Sequence, residues 1–116
     1  MNRGDIYYVD IPAPPGGAGR EQAGYLPVIV ISTDRTRNAC PVVTAIPLTS
    51  KTAALRFPHT AEIGPTQQNG LSMNSVALVF QIAAIDKRRF RRQAGVLDAE
   101  DLQTIEQELR LLLELD

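Results

Sequence analysis

Cysteine and histidine are almost absent from this chain, and that closes several chemistries at once. The one cysteine, Cys40, cannot form an intrachain disulfide, which fits a reducing cytoplasm. With only His59 beside it there is no zinc or haem ligand set. No cofactor is expected, and any chemistry is metal-free or uses a metal carried in by the substrate. Catalysis by a pair of histidines is excluded too. Apolar runs such as Val28 to Ile31 fall far below the roughly 20 residues of a membrane-spanning helix, so no membrane partner is expected. Arg3, Asp5 and Asp10 break up the N-terminus, so no secretory signal is expected either.

What is present suits one folded domain over residues 1–116. Hydrophobic residues make up 44% and charged residues 22%, the balance of a chain with a core. Net charge is −1, but its distribution is uneven. Residues 1–97 carry eleven Lys/Arg against six acids, giving +5, and residues 98–116 carry one against seven, giving −6. A basic body suits an anionic ligand. Charge balance within the molecule is the plainer alternative.

The chain is organised around residues 12–32. Three prolines and four glycines between Pro12 and Gly24 exclude a regular element there and make it a loop. Arg20, Glu21 and Gln22 put a cation, a carboxylate and an amide where that loop can present them to a ligand, or simply to solvent.

Strands are predicted over residues 3–11, 27–32, 41–49, 59–63, 75–81, 82–86 and 93–97, several of them short. The second reads as buried on both faces, because its apolar residues do not alternate with polar ones. Pro47 predicts an edge or a bulge at the end of the third. Residues 34–38 read as a polar connection of about one helical turn, 51–58 as irregular and 64–70 as a polar loop. This punctuation points to a small barrel or twisted sheet of five or six short strands.

One helix closes the chain. Asp98 is its predicted N-cap, with Glu100 and Asp101 in the first turn. Leu102, Ile105, Leu109, Leu112 and Leu113 recur at steps of three and four and form one face. Leu111 and Leu115 widen it and read as core, or else as contacts with a second subunit. Between the last strands, residues 87–92 gather five cations around Phe90, suited either to phosphate contact or to a solvated turn.

Four segments then appear in a telling order: Arg3-Gly4-Asp5-Ile6-Tyr7; Gly19-x-Glu21-Gln22-Ala23-Gly24-x-x-Pro27-Val28-x-Val30-x-Ser32; Ala45-Ile46-Pro47-Leu48-Thr49-Ser50; and Ser75-Val76-Ala77-Leu78-x-x-Gln81-Ile82-x-x-Ile85-Asp86. In this order and spacing the chain resembles the MazF/PemK-type toxins. The resemblance implies a mainly β fold with a C-terminal α-helix, an SH3-like barrel of the CcdB/PemK type. It also implies a symmetric homodimer, a cognate antitoxin as partner, and metal-independent, sequence-specific endoribonuclease activity on single-stranded RNA.

For the site, the resemblance implies Thr49 at the scissile phosphate and Glu21 and Gln22 shaping the loop. Ser50, Lys51, Gln81 and Arg3 are further RNA-binding or loop-shaping positions on the same reading. The position before Pro27, where such enzymes usually carry the catalytic arginine, is Leu26. Leu78 and Phe80 stand where a PemK-like branch has an arginine and an aspartate, and Arg20 stands where that branch has a histidine. Arg20 is thus the charged side chain left to act with Thr49. Two functions follow: a nuclease built on Arg20 and Thr49, or a catalytically impaired module that binds antitoxin or RNA, or acts on DNA gyrase as CcdB-type toxins do.

Overall fold

β3 (Val42–Thr49) is the strand the others hang on. In the computed structural model, which describes residues 1–12 and 24–116, it is joined by β1 (Asp5–Ile11), β2 (Gly24–Val30), β4 (Thr60–Ile63), β5 (Ser75–Leu78), β6 (Ala83–Asp86) and β7 (Phe90–Val96). Two helices, α1 (Asp34–Ala39) and α2 (Ala99–Leu113), complete the fold. The sheet runs β4-β5-β3-β2-β1-β7, with β6 also paired to β3, and every pairing is antiparallel. Mostly-β with a closing helix is the expected class, and each of the predicted strand segments holds a strand among the described residues.

Two boundaries moved for local reasons. β1 starts at Asp5, because Gly4 takes φ +93 and turns the chain before it. The strand predicted over residues 75–81 stops at Leu78, where a 3-10 turn, Val79–Gln81, redirects the chain into β6. The stretch read as irregular holds another such turn, Thr52–Arg56.

Pro47 does not mark a sheet edge. Val28 of β2 lies opposite it on one flank. On the other flank Val42 to Ala45 pair with β6, whereas Leu48 and Thr49 pair with β5. The Thr44 carbonyl accepts from Ile31 and Ser32 on the β2 side. By strand alternation Pro47 therefore turns its backbone to the opposite flank, at the gap between β6 and β5. The missing N–H falls where no partner strand needs it.

β2 is buried on both faces, as its sequence predicted. Leu26 and Val28 pack with Val9, Ala45 and Ile85 on one side. Ile29 joins Ile6, Ile46, Ile63 and Ile105 in the larger cluster beneath α2. The helix contributes Ile105, fully buried, with Leu102, Leu109 and Leu112 against the same cluster. The expectation that Leu111, Leu113 and Leu115 are core is corrected: they are 52%, 56% and 61% exposed. Leu111 and Leu113 flank the face that Leu109 and Leu112 press onto the core, and Leu115 lies past the left-handed C-cap at Glu114.

Asp98 sits at the N-cap with extended backbone, but its carboxylate makes no capping bond. It accepts instead from the Thr66 hydroxyl at 2.9 Å. That bond belongs to the loop 64–70, which is a buried polar knot. Asn69, fully buried, accepts from the backbone N–H of Thr66 and Leu71 and donates to the Gly64 carbonyl. A Cβ on Gly70 would strike the Ala94 carbonyl, and one on Gly95 would strike Gln68 and Asn69. The two glycines let the loop lie directly on β7, where Val96 N–H donates to the Gln68 carbonyl.

Candidate active site

Thr49 ends β3, half-buried, with its backbone still paired to Val76 of β5. Its Oγ1 accepts the backbone N–H of Lys51 at 3.2 Å. This short hydroxyl turn fixes the side chain while the threonine O–H keeps its own proton to donate. Two clefts meet at this residue. One, of about 310 Å³, is walled by Tyr8, Tyr25, Leu26, Ser50, Leu71 and Ser75. The other, of about 720 Å³, is walled by Lys51, Arg56, Phe57, Leu78, Phe80 and Gln81. Phe80 and Gln81 are shared in turn with a third cleft, of about 470 Å³, which runs past Ala83 and Ile85 to Arg89. The three clefts therefore adjoin one another, with Thr49 between the first two and Phe80 and Gln81 between the second and third.

Each cleft beside Thr49 carries aromatic rings with a guanidinium on them. Tyr8 and Tyr25 stack with centroids 5.2 Å apart and planes 7° apart. Arg92 lies over Tyr8, 4.4 Å from the ring centroid. Across Thr49, Phe57 and Phe80 meet at 5.6 Å and 60°, with Arg56 over Phe57 at 4.3 Å. Sequence reasoning missed Tyr8, Tyr25, Arg56 and Phe57 as site residues, and raised Arg92 only as one of the 87–92 cluster suited to phosphate contact or a solvated turn. The signal was faint: in a chain of 5% aromatics, Tyr8 directly follows the motif around Gly4 and Tyr25 fills an open position inside the one around Pro27.

The other expected residues sort clearly. Ser50 and Lys51 are exposed at the mouth of the clefts, and Gln81 lines the larger one. Arg20, Glu21 and Gln22 lie outside the described residues. Arg3 is not a neighbour of Thr49. Its Nε and Nη2 donate to Glu106 of α2, at 3.2 and 2.8 Å, and its Nη1 donates to the Ile31 carbonyl. Ile31 is opposite Thr44, which lies about 16 Å back along β3 from Thr49 at the usual strand rise. Arg3 straps the acidic helix to the sheet, so part of the charge asymmetry is spent within the molecule. Leu26 is 7% exposed and Leu78 2% exposed; both point their bulk into the protein.

The cluster at residues 87–92 is not one uniform basic patch. Asp86 accepts from the backbone N–H and Nε of Arg88 through Oδ1 and from Nη2 through Oδ2, at 2.9 to 3.1 Å. These bonds, chiefly from the Arg88 side chain, hold the Asp86 carboxyl at about 2 instead of 3.8, and raise the Arg88 guanidinium in return. Arg91 donates to the Arg88 carbonyl and reaches Asp10 at 3.7 Å. Arg92 and Arg89 are the members that turn toward the clefts. Among the described residues no group of three or more His, Cys, Asp or Glu is placed to hold a metal ion. None of the described helices is long and apolar enough to cross a membrane.

The fold has counterparts among known proteins. Residues 2–113 match the family model of the PemK-like, MazF-like toxins of type II toxin–antitoxin systems. The chain belongs to that family. Endoribonuclease EndoA of Bacillus subtilis (strain 168) is 30% identical over 115 residues, covering 99% of this chain and 96% of that protein. MazF from Deinococcus radiodurans is 25% identical with a TM-score of 0.78, over 99% of this chain and 97% of that one. The MazF of a MazE–MazF structure from the same organism is 25% identical with a TM-score of 0.75, over 100% and 97%. In this MazF-like toxin, then, Leu26, where the resemblance implied an arginine, forms part of the core.

Proposed function

We propose that this toxin is an endoribonuclease that cuts single-stranded RNA lying along the connected clefts, with the scissile phosphate at Thr49. The observation that carries this reading is the Thr49 hydroxyl, held by Lys51 N–H between two clefts, one lined by Tyr8 and Tyr25 and the other by Lys51, Arg56, Phe57 and Phe80. Such a strand needs positive charge along its backbone and flat surfaces for its bases. The likeness to EndoA, named as an endoribonuclease, supports the reaction class. The ribose 2′-oxygen, its proton passing to solvent water, attacks the adjacent phosphorus; the bond to the 5′-oxygen breaks, that oxygen takes a proton from water, and a 2′,3′-cyclic phosphate and a 5′-hydroxyl remain. Thr49 donates to a phosphate oxygen as charge builds there, and Arg20, delivered by its loop, balances that charge. An arginine stays protonated throughout, so its part is electrostatic rather than proton transfer. Glu21 and Gln22 shape the loop, while Ser50, Lys51 and Gln81 contact the strand. The active form is a homodimer in the cytoplasm, held silent by a cognate antitoxin; the MazE–MazF relative supports that partner.

Incubation with single-stranded RNA in EDTA tests the reading: cyclic-phosphate ends are expected, and Thr49→Ala and Arg20→Ala should both lose them. Absence of products removes the nuclease, and undiminished cutting by Arg20→Ala removes that arginine's role. A second reading is favoured by one observation, the burial of Leu26 and Leu78 where relatives carry catalytic groups. On it the chain binds antitoxin, RNA or gyrase without cutting. A gyrase supercoiling assay run beside the RNA assay separates the two.

A further inference from the structure

Arg92, Tyr8 and Tyr25 come from three different strands and form a column. Tyr8 is opposite Pro27 in the β1–β2 register and Tyr25 is opposite Asp10, so the two tyrosines are diagonal neighbours on one face. On the far flank of β1, Tyr7 pairs with Gln93 and Val9 with Phe90, so β7 carries an extra residue there. That bulge brings the Arg92 guanidinium over the Tyr8 ring. The column is closed at one end by a cation and ends at the other in Tyr25, which is 57% exposed. A large ring left open at the wall of a cleft, already parallel to a second ring, is a flat apolar surface with nothing of this chain laid on it among the described residues.

We infer that Tyr25 is a stacking subsite for one unpaired nucleobase of the strand whose phosphate reaches Thr49. The inference rests on the nuclease reading and adds to it a fixed base position on one side of the cut. Three features favour a base over other occupants. Tyr25 and Thr49 line the same cleft, so a base stacked on the ring and a phosphate at the hydroxyl can belong to neighbouring nucleotides. The neighbouring cation Arg92 suits a polyanion. Parallel rings held by sheet register lose little freedom when a third flat ring is added. Arg92 is a positioning residue: it stiffens Tyr8 from behind and does not touch the base.

The chain has no tryptophan, so Tyr25→Trp introduces a single reporter at the subsite while keeping a stacking ring. The probe is a short single-stranded RNA of mixed sequence, with copies made abasic at each nucleotide in turn. Thr49→Ala is added so that the strand stays whole. Tryptophan emission should fall on addition of RNA, and one abasic position should abolish the fall. Tyr25→Ala should weaken binding about tenfold, by the same factor at low and high salt, and Tyr25→Phe should restore it. Unchanged emission together with unchanged affinity of Tyr25→Ala, in protein that still binds and cuts RNA, overturns the subsite and leaves the nuclease standing. No RNA binding by any variant overturns both. Emission that falls with an acidic peptide and not with RNA overturns the base subsite in favour of a protein contact.

Discussion

The two aromatic clusters beside Thr49 use the same ingredients and arrive at different shapes. Tyr8 and Tyr25 sit on strands whose register fixes both backbones, and their rings are nearly parallel at 7°. Phe57 and Phe80 sit at the end of one 3-10 turn and inside another, and their rings cross at 60°. Side chains on one face of a sheet leave the backbone in a common direction, whereas those on short turns do not. Strand-borne rings therefore make a flat platform, and turn-borne rings make a wall. The cations differ in the same way. Arg92 is placed by a bulge between strands, while Arg56 folds back to the Ala53 carbonyl within its own turn.

Removing what the two sides share should have the largest effect. Thr49→Ala deletes the hydroxyl at their junction, and RNA cleavage is expected to fall at least about 100-fold with the melting temperature nearly unchanged. Initial rates and a thermal melt on the same preparation check this. Next, Gly70→Ala breaks the tyrosine side alone. It puts a Cβ into the Ala94 carbonyl at φ +69, so the loop carrying Leu71 and Ser72 must leave β7. Urea unfolding should show a loss of about 3 kcal/mol, and the phenylalanine side should keep its geometry.

Smaller changes sharpen the contrast. Arg56→Ser is expected to weaken RNA binding a few-fold and to lower the slope of log affinity against log salt by about 1, without altering stability. A slope that stays the same would show that Arg56 serves only to cover Phe57. The smallest effect concerns the edge of the third cleft. Asp86 titrates at about 2 in the folded chain against an ordinary 3.8. Its pairing with Arg88 therefore supports the fold above that ordinary value and is lost as pH falls from near 4 toward 2. The Arg88 side chain is 90% exposed, so Asp86→Asn should change stability only slightly, with the full difference above about pH 4 and none left near pH 2. Acid titration of the wild-type and variant proteins should give curves that converge near pH 2.

Much of this architecture was legible beforehand. The unbroken apolar run of β2 correctly implied burial on both faces, and the spacing of Leu102, Ile105, Leu109 and Leu112 correctly implied the inner face of α2. The order of motifs led to the family. Errors arose where a residue's surroundings come from distant chain. Pro47 looked like an edge and proved to sit at a change of partners. Arg3 looked available and is held by Glu106, more than 100 residues away. Leu111, Leu113 and Leu115 were read as core and are exposed, because the core takes only the narrower face of Leu102, Ile105, Leu109 and Leu112.

Sequence alone determined the kinds of element, the one amphipathic helix, and a threonine at the close of the third strand, since each depends on neighbours a few positions apart. Tertiary structure decided which rings lie flat, which arginines remain turned to the clefts, and that Leu26 is core. Those outcomes depend on the register between strands and on where the sheet ends, and only the folded sheet brings residues as distant as Tyr8, Tyr25 and Arg92 into one column.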